Sequence, residues 1–203
     1  DIVTADHHDW ESLQGGNTGN ALSDSLWWLD RKDSNRWKMF ARSVSPQTVN
    51  PGGIEVVISA FGRTDSLVLL NLDCTSVRVT MDDATDGVVF DSGVVLMQDF
   101  SAIIDIHAYF FEPIIKKTEY ALIGAGAMPY YANTTITVTI EKSTGDAKCG
   151  VMILGQSKEI GWTNYGSEVG INDYSTKATD QFGNIDVVER AFSDTGGFDI
   201  TLK

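Results

Sequence analysis

The chain has 203 residues, 42% of them hydrophobic and 21% charged, a composition close to that of an average globular protein and unlike that of a disordered one. This length suits one ordinary domain with an extension, or two small ones, and is enough to bury a core. Its formal net charge of −13 argues against a grip on nucleic acid, which needs Lys and Arg at phosphates, and against anionic membrane surfaces; it reads as a contribution to solubility.

Three zones follow one another. The first, residues 1–40, holds Trp10, Trp27, Trp28 and Trp37 among Asp, Asn and Gly, with a turn-like Gln14-Gly15-Gly16-Asn17-Thr18-Gly19-Asn20. Its poor periodicity predicts short strands and tight turns. The start, Asp1-Ile2-Val3-Thr4, has no basic region followed by an apolar one, so no signal peptide is expected. It also lacks Met, which leaves room for residues upstream.

The second zone, 41–161, carries the strand signals. Ile54–Ile58 is the first. Ser66–Leu72 is nearly all apolar, as a strand covered on both faces requires. Ser76–Met81 alternates with period two, and the acidic stretch Asp82–Gly87 turns into Val88–Phe90. Gly93–Met97, Ile103–Phe111 and Tyr120–Ile123 are further expected strands, with room for a helical turn near Asp99–Ile106. Thr134–Ile140, β-branched and alternating, is the strongest signal in the chain. A turn at Ser143–Asp146 leads back through Lys148–Leu154. This is the spacing of an antiparallel sandwich; no strong amphipathic helix and no apolar run of about 20 residues, the length that spans a bilayer, is present.

The third zone, 162–203, mixes small, polar and aromatic residues in Tyr165–Gly170 and Asp173-Tyr174-Ser175, turns at Asp180-Gln181-Phe182-Gly183-Asn184, and offers short strands at Ile185–Val188 and Phe198–Leu202. It reads as an extended arm that packs against its own domain or a neighbour. The fold expected is all-β: an antiparallel, jelly-roll-like β-sandwich between a small Trp-rich segment and this arm.

Catalysis needs convergent titratable groups, and few are in view. His7 and His8 stand beside Asp6 and Asp9 without a third ligand at useful spacing, so they read as a solvated turn rather than a metal site. His107, in an apolar run, reads as a core or sheet-face histidine. There is no Gly-x-Ser-x-Gly elbow and no phosphate loop, and Gly124-Ala125-Gly126 lacks the third glycine and the helix of a dinucleotide fingerprint. Asp82, Asp83 and Asp86 read as a solvated acidic hairpin lacking the closing Glu of a calcium loop. Asn133-Thr134-Thr135 matches a glycosylation sequon, a short pattern that is common by chance. No carboxylate pair of glycosidase type stands out. Cys74 and Cys149 are either two buried thiols or one disulfide between distant strands. No enzymatic activity, cofactor or metal is expected.

The Trp-rich start is the constellation with a mechanism. Exposed indole faces stack on sugar rings while amides and carboxylates bond the hydroxyls. Trp10, Trp27, Trp28, Asn35 and Trp37 are the candidate carbohydrate-binding residues, with Asn17, Asn20, Asp30 and Asp33 close in sequence. The same tryptophans could equally build a core for a strand-poor segment. Trp27 and Trp28, being adjacent, cannot both face one side of a strand.

Several stretches also carry resemblances. Trp10-Glu11-Ser12-Leu13-Gln14, Gly16–Asn20 and Trp27-Trp28 resemble the end of small carbohydrate-binding modules of the chitin-binding type. Asn35-Arg36-Trp37-Lys38-Met39-Phe40, Asp65–Asp73 and Cys149–Gly155 resemble a galactose-binding-like jelly roll. Tyr165-Gly166, Gly170–Ser175 with Lys177, Asp180-x-Phe182-Gly183-Asn184 and Val188-x-Arg190 resemble the tail of a protein recurrent in tailed bacteriophages. In combination these imply a virion structural protein, placed in the phage tail near the tip or baseplate. Tyr165, Asp173, Tyr174, Phe182 and Arg190 would serve its assembly arm. The partners implied are other virion tail proteins, in a homo-oligomeric ring or multiple copies, and host surface glycan; nucleic acid and membrane insertion are not expected.

Overall fold

The computed structural model describes residues 1–60, 62–101, 103–124, 128–131, 133–179, 182–190 and 192–203. Ala125 and Gly126 of the glycine pair, and Asp180 and Gln181 of the expected turn, therefore lie outside the described residues. The chain divides into two units, Asp1–Ser157 and Lys158–Lys203.

The first unit opens with a small antiparallel sheet of β1 (Ile2–Ala5), β2 (His8–Ser12) and β3 (Trp28–Asp33), in that order. Ala5 faces His8, so Asp6 and His7 form a two-residue hairpin turn. Both have positive φ, 51° and 71°, the pair of left-handed residues that matches strand twist in such turns. A single 3₁₀ turn, Lys38–Phe40, then leads to the larger sheet. That sheet contains β4 (Thr48–Ala60), β5 (Ser66–Asp73), β6 (Ser76–Asp83), β7 (Gly87–Asp91), β8 (Val95–Leu96), β11 (Tyr120–Leu122) and β12 (Thr134–Gly155). Between β8 and β11 lie β9 (Gln98–Asp99), the short helix α1 (Ile106–Phe111) and β10 (Ile115–Lys116).

Strand β12 is the spine of this sheet. Its first half lies between β4 and β6, and its second half pairs with β5 and the start of β4, all antiparallel. The register breaks between Glu141 and Asp146, where extra residues bulge out, and the partner run turns from β5 into β6 at Cys74 and Thr75. A bulge opposite a bend is how strands pass round the corner of a folded-over sheet. Side chains pin this corner. Lys142 Nζ meets Asp73 at 2.6 Å, the Ser143 N–H donates to Thr75 Oγ1, and the Thr75 N–H donates to the Glu141 carbonyl.

The folded sheet encloses one core. Val77, Val79 and Met81 from β6 meet Ile136, Val138 and Ile140 from β12, with Leu67 and Leu69 from β5. Thr134–Ile140 alternates buried and partly exposed residues along its length, as its β-branched pattern requires. All five methionines, Met39, Met81, Met97, Met128 and Met152, are buried; flexible thioethers fill the irregular space that a bent sheet leaves. Cys74 and Cys149 are free and buried, and desolvation raises their thiols to about 11 and about 12.

Three sequence expectations are corrected. The strand expected over Ile103–Phe111 is instead α1. Asp105 caps it, its carboxylate accepting the Ala108 N–H at 2.7 Å, and a capped turn outcompetes strand propensity where no sheet neighbour is at hand. The helix therefore begins where the expected helical turn near Asp99–Ile106 ends. His107, on α1, is exposed rather than set in a core or sheet face, and its ring packs on Phe111 at 4.7 Å. Lys148–Leu154 is not a separate returning strand; it continues β12 past the bulge.

The second unit consists of three two-stranded antiparallel ladders: β13 (Gly161–Thr163) with β18 (Ile200–Leu202), β14 (Glu168–Asp173) with β17 (Phe192–Gly197), and β15 (Thr176–Thr179) with β16 (Ile185–Val188). They nest about one tip, so the unit is a single interrupted hairpin ribbon.

Candidate functional site

The tryptophans nominated for sugar binding are each half-buried. Trp10 donates its indole N–H to the Ala5 carbonyl, across the β1–β2 hairpin, and Trp28 donates to Asn20. Trp37 lies 3.8 Å from the His7 ring and 5.6 Å from Phe40. The indoles thus join turn to strand rather than forming one row of bare faces. Neighbouring polar groups are similarly engaged. Asn35 reads both backbone groups of Val49, donating at 2.8 Å and accepting at 3.1 Å, which fastens the first zone to β4. The Asn17 amide donates to Ser12 and Trp27, and Asn20 donates to Asn17. Asp30 accepts from the Lys32 N–H and meets His8 Nδ1 at 2.9 Å. That bond raises the His8 pKa and lowers that of Asp30.

Two concavities border this zone. One, of about 370 Å³, lies between Trp28 and the Gln14–Asn17 turn. The other, of about 430 Å³, runs from Trp37 and Phe40 along Val57 and Ser59 of β4, with Arg36 and Glu55 as its charged members. It brings an indole, a phenyl ring and polar groups together. Pro51, within β4, has no N–H to donate, which fits the edge position of this strand: among the described residues β4 pairs with β12 alone. No group of three or more His, Cys, Asp or Glu that could hold a metal ion occurs among the described residues. In the acidic hairpin, Asp83 accepts the N–H groups of Thr85 and Asp86, an Asx turn between β6 and β7.

A third feature had no sequence signal that set it apart. Between β9 and β10, the segment around α1 exposes Ile104, Ile106, Tyr109, Phe110 and Phe111. Its apolar run resembled a strand, and nothing in it marks which way the side chains face.

The ribbon is where exposed apolar surface is organised. No described residue of Lys158–Lys203 is buried. Side chains directly opposite one another share a face. In the middle ladder, Val169 faces Gly196, Ile171 faces Asp194 and Asp173 faces Phe192, so Val169, Ile171 and Phe192 lie on one face. A Cβ on Gly196 would stand 2.8 Å from the Phe198 ring, which places Phe198 over that glycine on the same side. The opposite face carries Glu168, Gly170, Asn172, Ser193 and Thr195.

Of the residues nominated for the arm, several act within the ribbon. Hydrogen bonding from the Ser175 side chain, and then from its N–H, lowers the Asp173 pKa, and the Arg190 N–H donates to Ser175 Oγ. Tyr174 Oη meets Ser193 Oγ at 3.0 Å. Tyr165 is fully exposed, and Phe182 is exposed near the tip. The apolar residues of the middle ladder were not nominated, although Val169-Gly170-Ile171 has the period-two spacing that would have found them.

No protein-family model, no curated protein and no solved structure matches the chain.

Proposed function

We propose that the chain is a non-enzymatic structural subunit of a larger assembly, in the tail-tip or baseplate region of a bacteriophage virion. The ribbon is the observation that carries this reading. A lone two-stranded hairpin is marginal in water, and this one exposes Trp162, Val169, Ile171, Phe192 and Leu202. Its strands contain no proline and few lysines, the devices that keep free edges from pairing with other chains. A neighbouring subunit supplies the missing partner surface. The placement in a phage tail, and the jelly-roll topology of the sandwich, rest on the sequence resemblances. The test is particle imaging combined with protease digestion. The chain is expected in purified virions at fixed copy number, with residues 158–203 shielded there and cleaved readily in the free protein. Absence from virions would remove the placement, and equal cleavage in both states would remove the assembly role.

A second reading, a carbohydrate-binding adhesin, is favoured by the groove beside Trp37 and Phe40. An indole face with Arg36, Glu55 and Ser59 alongside suits a sugar ring better than the dispersed Trp10, Trp27 and Trp28. Calorimetry with host surface polysaccharide would register binding that Trp37→Ala abolishes; absence of heat with the unmodified protein ends this reading.

A further inference from the structure

We infer that the groove beside Trp37 and Phe40 takes an extended peptide strand of a partner chain, added to the free edge of β4. This inference stands apart from the ribbon, and it gives to a peptide backbone the groove that the adhesin reading gives to a sugar.

The edge itself selects the occupant. Among the described residues β4 pairs with β12 alone, so from Ile54 to Ala60 its other side presents backbone N–H and C=O groups that no strand meets. Donors and acceptors recur there with the strand period, and another extended backbone is what satisfies such a row along its length. Proline and lysine, which guard edges against added strands, are absent from residues 54–60. Pro51 lies beyond the break in register with β12.

The groove follows this edge. It is lined by every residue from 54 to 59. Successive side chains on a strand point to opposite faces, so a hollow over one face would meet only every second residue. The layer is also incomplete on its inner side. Ile136 and Val138 of β12 are fully buried, whereas Ile58 and Val56, directly opposite them, pack on the same core and stay partly exposed. An added strand with apolar residues inward would cover both. On the outer face Val57 is 58% exposed, and Glu55 has no ion pair among the described residues. The partner segment is therefore an alternating strand, apolar inward and polar outward, with a cation opposite Glu55.

The probe is a capped peptide alternating valine with threonine, one threonine position being given to lysine. It is titrated into the isotope-labelled full chain and followed by NMR. The N–H resonances of residues 54–60 should shift and exchange more slowly with solvent, and the Trp37 indole should shift with them. The same peptide with every backbone nitrogen methylated keeps its side chains but cannot donate, and should bind at least tenfold more weakly. Val57→Lys, which places a guard on the edge, should weaken binding by a similar factor. Thr137→Lys, directly opposite on the same face but one strand inward, should leave it unchanged. Glu55→Gln is the milder variant: it should weaken the lysine-bearing peptide and not its counterpart with threonine throughout. If Val57→Lys unfolds the chain, the methylated peptide still decides. No shift at millimolar peptide overturns the proposal. Equal binding of the methylated peptide overturns it too, as do shifts confined to the Trp37 and Phe40 side chains. Calorimetry with polysaccharide and protection of the ribbon in virions read the other two proposals separately, so each can fail alone.

Discussion

Gly150 shows how one residue sets the packing around it. A Cβ there would lie 2.6 Å from the Val44 carbonyl oxygen and 2.7 Å from Asn71 Cβ. Asn71 itself has φ of 55°, donates its amide to Val44 and accepts from Gln47. The bare glycine therefore lets residues 44–47 close over β5. Gly150→Ala should lower stability by about 2 kcal/mol through overpacking, measured by urea unfolding; an unchanged midpoint would mean that the loop yields freely. Thr134 presents the opposite case. Its hydroxyl is buried and has no hydrogen-bond partner among the described residues. Thr134→Val keeps the shape and removes a desolvated donor, so a gain of about 1 kcal/mol is expected in the same measurement. Neither residue was legible in the sequence. A glycine's neighbours and a hydroxyl's missing partner are created by chain segments far apart. Asn35 stands out in the sequence as a candidate sugar ligand, but its two bonds to the Val49 backbone, between segments 14 residues apart, could not be read there.

At the scale of elements, strands were legible where the local pattern and the tertiary environment agree. Thr134–Ile140 alternates because one side faces the core, and Ser66–Leu72 is nearly all apolar because β5 is largely covered on both sides. Agreement fails around α1, where the same apolar composition faces solvent and one aspartate cap decides the conformation. It also fails at the β12 bulge, where turn-like residues interrupt a strand without ending it. The β6–β7 hairpin offers an electrostatic test. Arg78 holds Asp91 through two hydrogen bonds, of 3.0 and 2.6 Å, and this pairing lowers the Asp91 carboxyl to about 2. A depressed folded-state pKa means that the stabilisation is fully present above the ordinary carboxylate range, near 4, and is lost as pH falls from there through about 2. Carboxyl-carbon titration by NMR should give that low midpoint, and Arg78→Met should return it towards the ordinary value. A midpoint unmoved by the substitution would assign the depression to the Gly93 N–H, which also donates to Asp91.

For the whole molecule, the distinction between its two units is energetic. The first unit has a continuous core that joins its strands to the Trp-rich start through Met39 and Asn35. It also closes its own last residues: buried Asp65 accepts the Ser157 N–H at 2.7 Å and the Ser66 hydroxyl at 2.6 Å, while its N–H donates to Gly155. The second unit has ladders but, among its described residues, no core. Composition could separate an apolar-rich middle from a sparser tail, since that contrast is local, but which side chains remain uncovered depends on strand pairings between segments far apart in sequence. Two ways of removing the ribbon follow from this asymmetry. A chain ending at Ser157 keeps every contact named for the core and for Asp65, so its melting temperature should lie within about 3 °C of the full chain measured at a dilution where both are monomeric. The excised ribbon, residues 158–203, should give poorly dispersed amide resonances, because paired strands without a covered face do not hold a fixed structure. Loss of cooperative melting in the shortened chain would show instead that the sandwich draws stability from the ribbon. The apolar face of β14 and β17 would then be a surface the chain needs for its own fold, rather than one it presents to a neighbour.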